Sequence, residues 1–146
     1  MTYTTTDPRL IGDAIVARLT ADTAIEVGDG RKPADIDVDS DGLPVHPYCI
    51  VYQIPDGDSM GTLADPDGCA WVRFVVHVYG GTRQQAQWGQ YEVRQALVGW
   101  RPAIIGCTCS RVELSQGAGI DRDDTLRPPL YWCDDEFRLF VSNDGD

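Results

Sequence analysis

The clearest pattern in the chain is an alternation of side-chain types over residues 68–80, GCAWVRFVVHVYG. Successive side chains of a β-strand point to opposite faces. One face would therefore be apolar, and the other would combine aromatic and polar side chains. The apolar row is Val72, Phe74, Val76 and Val78, and the mixed row is Trp71, Arg73, Val75, His77 and Tyr79. The first row suits a core beneath helices, whereas the second is too aromatic for free solvent and too polar for a core.

Residues 130–141, LYWCDDEFRLFV, repeat this division. Cys133, Phe137 and Leu139 would face the core, with Asp135 interrupting the row. Interfaces are enriched in aromatic residues and Arg, so the mixed rows are candidates for a subunit interface. The candidate interface residues are Trp71, Arg73, His77, Tyr79, Trp132 and Arg138. The alternative is a partly covered outer sheet face whose arginines pair with carboxylates of the last strand.

Two helices are predicted from caps and apolar stripes. Asp7-Pro8 opens the first, because Asp accepts from free N–H groups and Pro suits the first helical position; it should end near Ala21. Thr82 and Gln85 form a capping box for the second, and Arg101-Pro102 should end it. The stripes are Leu10, Ile11, Ala14, Ile15 and Leu19 in the first helix, and Ala86, Gly89, Val93, Ala96, Leu97 and Trp100 in the second.

Shorter strands are predicted at residues 24–27, 48–54 and 107–114, with long loops at 28–47 and 115–129. Residues 48–54 and 68–80 would form an antiparallel hairpin joined by the turn-rich segment 55–68. The order lacks regular β-α-β alternation. It predicts an α+β fold, with a mostly antiparallel four- to five-stranded sheet and two helices packed on one face. Its 146 residues predict a single domain spanning 1–146.

Charge excludes one class of partner. The chain has 12 basic and 23 acidic residues, a net charge of −11. A specific binder of DNA or RNA needs basic residues for the phosphates, so this composition argues against one. The chain lacks an apolar run of 18 residues, and its first residues have neither the basic region nor the apolar core of a secretory signal. We therefore expect no membrane partner.

Metal and cofactor sites are not predicted either. Asp37-x-Asp39-x-Asp41-Gly42 matches the first half of a calcium loop, but Tyr48 occupies the position of the bidentate Glu. A solvated acidic loop is the favoured interpretation. The five cysteines are an odd number without a signal peptide, which favours buried free thiols over disulfides. Cys107-x-Cys109 lacks the paired ligands that zinc requires.

Catalytic residues are not predicted, because a nucleophile needs a base within reach. His77 lies in mid-strand and His46 between prolines, and neither has an assignable partner. Asp134, Asp135 and Glu136 alternate between faces. Asp121 and Asp123 form a loop cluster near two arginines, without an evident acid–base pair.

These elements together resemble the tail terminator proteins of long-tailed bacteriophages, also called tail completion or minor tail proteins. The resemblance covers most of the chain in the same order. It rests on the helix DPRLIGDAIVARLTAD, the hairpin ending in WVRFVVHVYGG, the helix TRQQAQWGQYEVRQALVGW and the closing strand LYWCDDEFRLFV. The acidic loop at 28–47 departs from the pattern, since it has no clear family counterpart.

The resemblance implies a virion structural protein at the tail–neck junction, present in the host cytoplasm during assembly. It implies a ring, usually a hexamer, that caps the tail tube, ends its polymerisation and meets the head–neck connector or stopper protein. Phage DNA would pass through the lumen without specific binding. The loops that would rim this lumen or reach partners contain Asp37, Asp39, Asp41, Asp58, Met60, Asp121 and Asp123. The alternatives are a head–tail joining or head-completion protein, a small metal-dependent enzyme using the Asp-rich loops, and a host-encoded ligand-binding module.

Overall fold

The computed structural model describes residues 7–54 and 68–144, which form two helices and seven strands. The predicted lumen residues Asp58 and Met60 lie outside the described residues. Neither helix within the described part of the chain is long and apolar enough to cross a membrane. The helices are α1 (Pro8–Asp22) and α2 (Arg83–Leu97), and the strands are β1 (Glu26–Asp29), β2 (Tyr48–Ile54), β3 (Cys69–Gly80), β4 (Cys107–Cys109), β5 (Glu113–Gln116), β6 (Asp121–Asp123) and β7 (Leu130–Asn143).

The sheet is built around the long antiparallel pair β3–β7, which is continuous from Cys69 opposite Ser142 to Gly80 opposite Tyr131. β2 is antiparallel to the other edge of β3, so the predicted hairpin is confirmed. β1 is parallel to β2. The outer edge of β7 pairs in succession with β4, β5 and β6. The α+β class is confirmed, but the sheet is mixed and has seven strands rather than four or five.

The extra strands come from two segments that the sequence pattern did not resolve. The predicted strand 107–114 divides into β4 and β5, because the N–H of Val112 donates to the carbonyl of Trp100 at 2.7 Å and so leaves the β7 ladder. The predicted loop 115–129 contains the end of β5 and all of β6. Asp121 and Asp123 therefore lie in a strand, not in a loop.

Both helices pack on the apolar side of the sheet, as predicted: α2 lies over β3 and β7, and α1 lies beside α2 over β1 and β2. Val72, Phe74, Val76 and Val78 are buried, and Phe74 stacks on Phe137 of β7 with ring centroids 5.5 Å apart. Burying a side chain of this size stabilises the fold by roughly 1.5–3 kcal/mol. The helices contribute Ile11, Ile15 and Leu19 from α1, and Ala86, Val93, Ala96 and Leu97 from α2. Leu10, which the predicted stripe included, is 42% exposed.

The helix caps agree with the sequence at their N-termini. The Asp7 carboxylate accepts from the N–H of Arg9, and the Thr82 hydroxyl accepts from the N–H of Gln85 at 3.1 Å. The Gln85 side chain returns to the N–H of Gly81 at 2.9 Å, one residue before the cap. The predicted end of α2 is wrong: the helix stops at Leu97, before Gly99 takes a left-handed φ of 84°.

Candidate assembly surface

The side of the sheet opposite the helices carries the six residues predicted as an interface. We call it the mixed face. Antiparallel register places Tyr79 opposite Trp132, and Arg73 opposite Arg138. It consists of Trp71, Arg73, Val75, His77 and Tyr79 of β3, Trp132, Asp134, Glu136, Arg138 and Phe140 of β7, and Tyr48, Ile50 and Tyr52 of β2. The structure thus brings the six predicted residues onto one surface.

An aromatic cluster fills the half of the mixed face near Tyr79. Tyr48 stacks on Tyr79 with centroids 5.2 Å apart, and the Tyr52 ring meets His77 edge-on at 4.9 Å. His77 lies 5.8 Å from Trp132. Tyr48 and Tyr52 were not among the predicted interface residues. The signal was available, because alternation in YCIVYQI places both on one face of β2.

Burial favours the uncharged forms of His77, Tyr79 and Tyr48 in this cluster, which the Asp134 carboxylate and Lys32 Nζ border. Burial lowers the pKa of His77, with the Asp134 carboxylate opposing the shift, so the imidazole is held uncharged. Its Nδ1 lies 3.4 Å from the Tyr79 hydroxyl oxygen. Burial raises the pKa of Tyr79, and raises that of Tyr48 to about 12. A neutral, half-buried aromatic centre has little desolvation cost if another protein covers it.

The other half of the mixed face combines arginine with aromatic side chains. The Arg138 guanidinium carbon lies 4.5 Å above the Trp71 ring centroid, and its Nε donates to Glu113 of β5 at 3.0 Å. Trp71 also meets the Phe140 ring at 5.4 Å. The carboxylate paired with Arg138 is on β5, not on the last strand that the alternative interpretation named. This half can therefore present both charge and aromatic surface to a neighbour.

Two loops border the mixed face at its Tyr48 end. The loop 28–47 and the segment before β7 approach each other there, and they enclose a groove of about 440 Å³. Tyr48, Tyr52 and Tyr79 line it together with Pro44 and Pro128. The Gln85 side chain donates to the carbonyl of Val45 at 3.1 Å. The predicted surface loop is thus anchored to the start of α2.

The acidic turn within this loop is held in shape by hydrogen bonds to one of its own carboxylates, that of Asp39. Val38 and Pro44 form an antiparallel bridge, and one Asp39 oxygen accepts from the N–H groups of Asp41 and Leu43 at 2.9 and 3.0 Å. Asp37, Asp39 and Asp41 are exposed. In β6, Asp123 accepts from the hydroxyl of Thr125 at 2.5 Å and from its N–H at 2.9 Å, and these two bonds lower the pKa of the Asp123 carboxyl. Across residues 7–54 and 68–144, no three potential metal ligands converge.

Four of the five thiols belong to the core. Cys49, Cys107, Cys109 and Cys133 are buried and Cys69 is half-buried, each as a free cysteine. Burial raises the pKa of Cys49, Cys109 and Cys133 to about 12 in each case. Cys107 and Cys109 lie with sulfurs 3.8 Å apart. Thiols so far from ionisation are poor nucleophiles and poor metal ligands, which fits a packing role.

One buried ion pair was missed. Asp135, 2% exposed in the apolar row of β7, accepts from Arg94 Nε at 2.6 Å and from Gln90 Nε2 at 3.1 Å. The N–H of Ala118 also donates to it, at 2.9 Å. The carboxylate therefore fastens α2 and the segment after β5 to the sheet. The sequence feature that could have predicted this ion pair is a lone Asp in an apolar row, together with Gln90 and Arg94 one helical turn apart in α2.

Comparison with known proteins places the fold. No protein-family model matches the chain, and no curated protein sequence matches it. Among solved structures, it is similar to a chain of the structure described as "Virion of native gene transfer agent (GTA) particle". The TM-score is 0.66 at 19% identity, over 92% of this chain and 96% of that chain. The two proteins share a fold across nearly their full lengths.

Proposed function

We propose that this protein is a structural component of a phage-like virion and that it acts by assembling with other protein copies. The observation that carries the proposal is the full-length fold match to a chain of a gene transfer agent virion. The mixed face supports it, because an aromatic surface with a neutral centre and flanking arginines has the composition of an interface core. The proposed role involves no catalysis, cofactor or metal.

The finer proposal is a tail terminator. Copies of the chain would form a ring, hexameric by resemblance to that family, with the mixed face as one contact surface. The ring would cap the tail tube, end its polymerisation and join the tail to the neck proteins. Heterologous contacts close into a ring when the rotation between subunits divides a full turn. No bond is made or broken, so shape and surface chemistry perform the function.

The exposed acidic turn at residues 37–41 suits a position at the rim of the channel. Net negative charge there would repel DNA phosphates and let the genome pass without binding. The chain's net charge of −11 favours the same behaviour. The electrostatic potential of an assembled ring tests the point, and a basic channel wall would contradict it.

Solution mass tests the ring. Light scattering after size-exclusion chromatography should show a discrete multimer of about six subunits for the wild-type chain. Val75→Arg should yield monomers, because it places a bulky charge at the centre of the mixed face. Val75 lies between Tyr52 and Glu136 in register and is half-exposed, so the fold should tolerate the change. Ala17→Arg on the exposed side of α1 adds the same charge and should leave the multimer intact.

Gene removal tests the position in the particle. Without a terminator, tails should grow beyond their set length in electron micrographs. Tails of normal length that lack heads would instead favour the head–tail joining role. Normal, complete particles would contradict both roles.

A further inference from the structure

The outer surface of α2 differs from the rest of this acidic protein. Apart from Arg94, whose charge is paired with Asp135, residues 82–101 contain Arg83, Arg101 and one carboxylate, Glu92, so the segment is weakly positive in a chain of net charge −11. The residues farthest from the core lie along one stripe: Gln84, Trp88, Tyr91 and Gln95, all exposed. Trp88 is 42% and Tyr91 59% exposed. Two large aromatic side chains on an exposed helix stripe without carboxylates mark a contact surface.

We infer that this stripe binds the mixed face of a second copy of the chain, so that copies associate sheet to helix. The inference rests on the proposed ring, whose heterologous contacts require two different surfaces on every subunit. The mixed face supplies one of them. Since α2 packs on the opposite side of the sheet, its outer stripe faces away from the mixed face. Surfaces on opposite sides of a two-layer molecule allow each copy to contact two neighbours.

Charge favours this pairing over a contact between like surfaces. The edge of the mixed face carries the carboxylates of Glu113, Asp121 and Asp123, beside Asp134 and Glu136 of β7. These five carboxylates outnumber the four cationic side chains on that side, so the face is complementary to the weakly positive α2 surface. The cations are Arg73 and Arg138 on the face, and Lys32 and Arg127 in the groove beside Tyr48. Two mixed faces, or two α2 stripes, would instead oppose equal charges. Tyr and Trp are also frequent energetic centres of interfaces, which suits Trp88 and Tyr91.

The double variant Trp88→Glu/Tyr91→Glu tests the stripe. Both side chains are exposed and Glu is a good helix former, so α2 should remain folded. Self-association should weaken by at least about tenfold, the loss expected when a single aromatic centre of an interface is removed. Ala17→Glu/Ala21→Glu on α1 changes charge equally at exposed positions and should associate like wild type. A double variant that still forms the wild-type multimer overturns the inference and leaves the ring proposal intact.

Mixing two variants tests the direction of the contact. Val75→Arg chains retain the α2 stripe, and Trp88→Glu/Tyr91→Glu chains retain the mixed face. Each alone should be monomeric, whereas an equimolar mixture should form heterodimers and nothing larger. If the mixture stays monomeric although both variants are folded by circular dichroism, the sheet-to-helix contact is wrong. A wild-type chain that never associates overturns the inference and the solution ring together.

Discussion

At the scale of single residues, the fold depends on one charge kept away from water. Asp135 is a buried carboxylate satisfied by Arg94, Gln90 and the N–H of Ala118. Removing one partner of a buried pair leaves a charge without compensation, which costs far more than the net contribution of the intact pair. A sequence pattern can mark such a residue as anomalous. It cannot identify the partner, because Arg94 lies 41 positions away and meets Asp135 only after α2 packs on the sheet.

Arg94→Met removes that partner while keeping most of the side chain's length. We expect the free energy of unfolding to fall by about 3 kcal/mol, the lower end for a broken buried pair, because Arg94 itself is 35% exposed. Urea titration followed by circular dichroism measures it. Arg122→Met is the matched control: its pair with Asp124 is exposed, and the loss should stay below about 1 kcal/mol. Equal losses in the two variants would show that the buried pair has no special role.

At the scale of helices and strands, long periodic segments were predicted well and short ones were not. The apolar periods of α1, α2, β3 and β7 each span several turns or strand repeats, so they indicate both type and buried face. β4, β5 and β6 have three or four residues each and are held by the backbone of β7. Their own side chains show too little repetition to reveal them. The end of α2 was misplaced because Gly99, not Pro102, interrupts the helix.

The glycines of the two helices should respond oppositely to alanine. A Cβ at Gly89 would lie 2.6 Å from Val78 Cγ1 and 3.2 Å from Pro47 Cβ, so Gly89→Ala should destabilise the protein by about 1–3 kcal/mol. A Cβ at Gly12 would meet only the Gln53 side-chain oxygen at 3.4 Å. Gly12→Ala should therefore stabilise the protein by about 0.5–1 kcal/mol, as expected for helix propensity. Thermal melts compare them, and stabilisation by both changes would contradict the close approach of α2 to β3.

At the scale of the whole molecule, the sequence predicts the mixed face but not the surface that would cover it. Alternation assigns Trp71, His77 and Tyr79 to one surface from sequence alone. The contribution of β2 depends on register, and the choice of partner depends on a second surface, around Trp88 and Tyr91, on the far side of the sheet. Core residues from α1 through β7 belong to one cluster in the described part of the chain. That residues 1–146 form a single domain stays a prediction.

Thermal unfolding at varied protein concentration examines domain and assembly together. A single cooperative domain should give the same midpoint by far-ultraviolet circular dichroism and by fluorescence of Trp71, Trp88, Trp100 and Trp132. Association of folded copies stabilises the native state by mass action, so the wild-type melting temperature should rise with concentration. The melting temperature of Val75→Arg should not rise with protein concentration, because the new side chain blocks contact between copies. Its unfolding should remain a single transition, because the new side chain does not enter the core. Midpoints that differ between the probes in the monomeric variant would contradict a single domain, and a concentration-independent wild type would contradict assembly in solution.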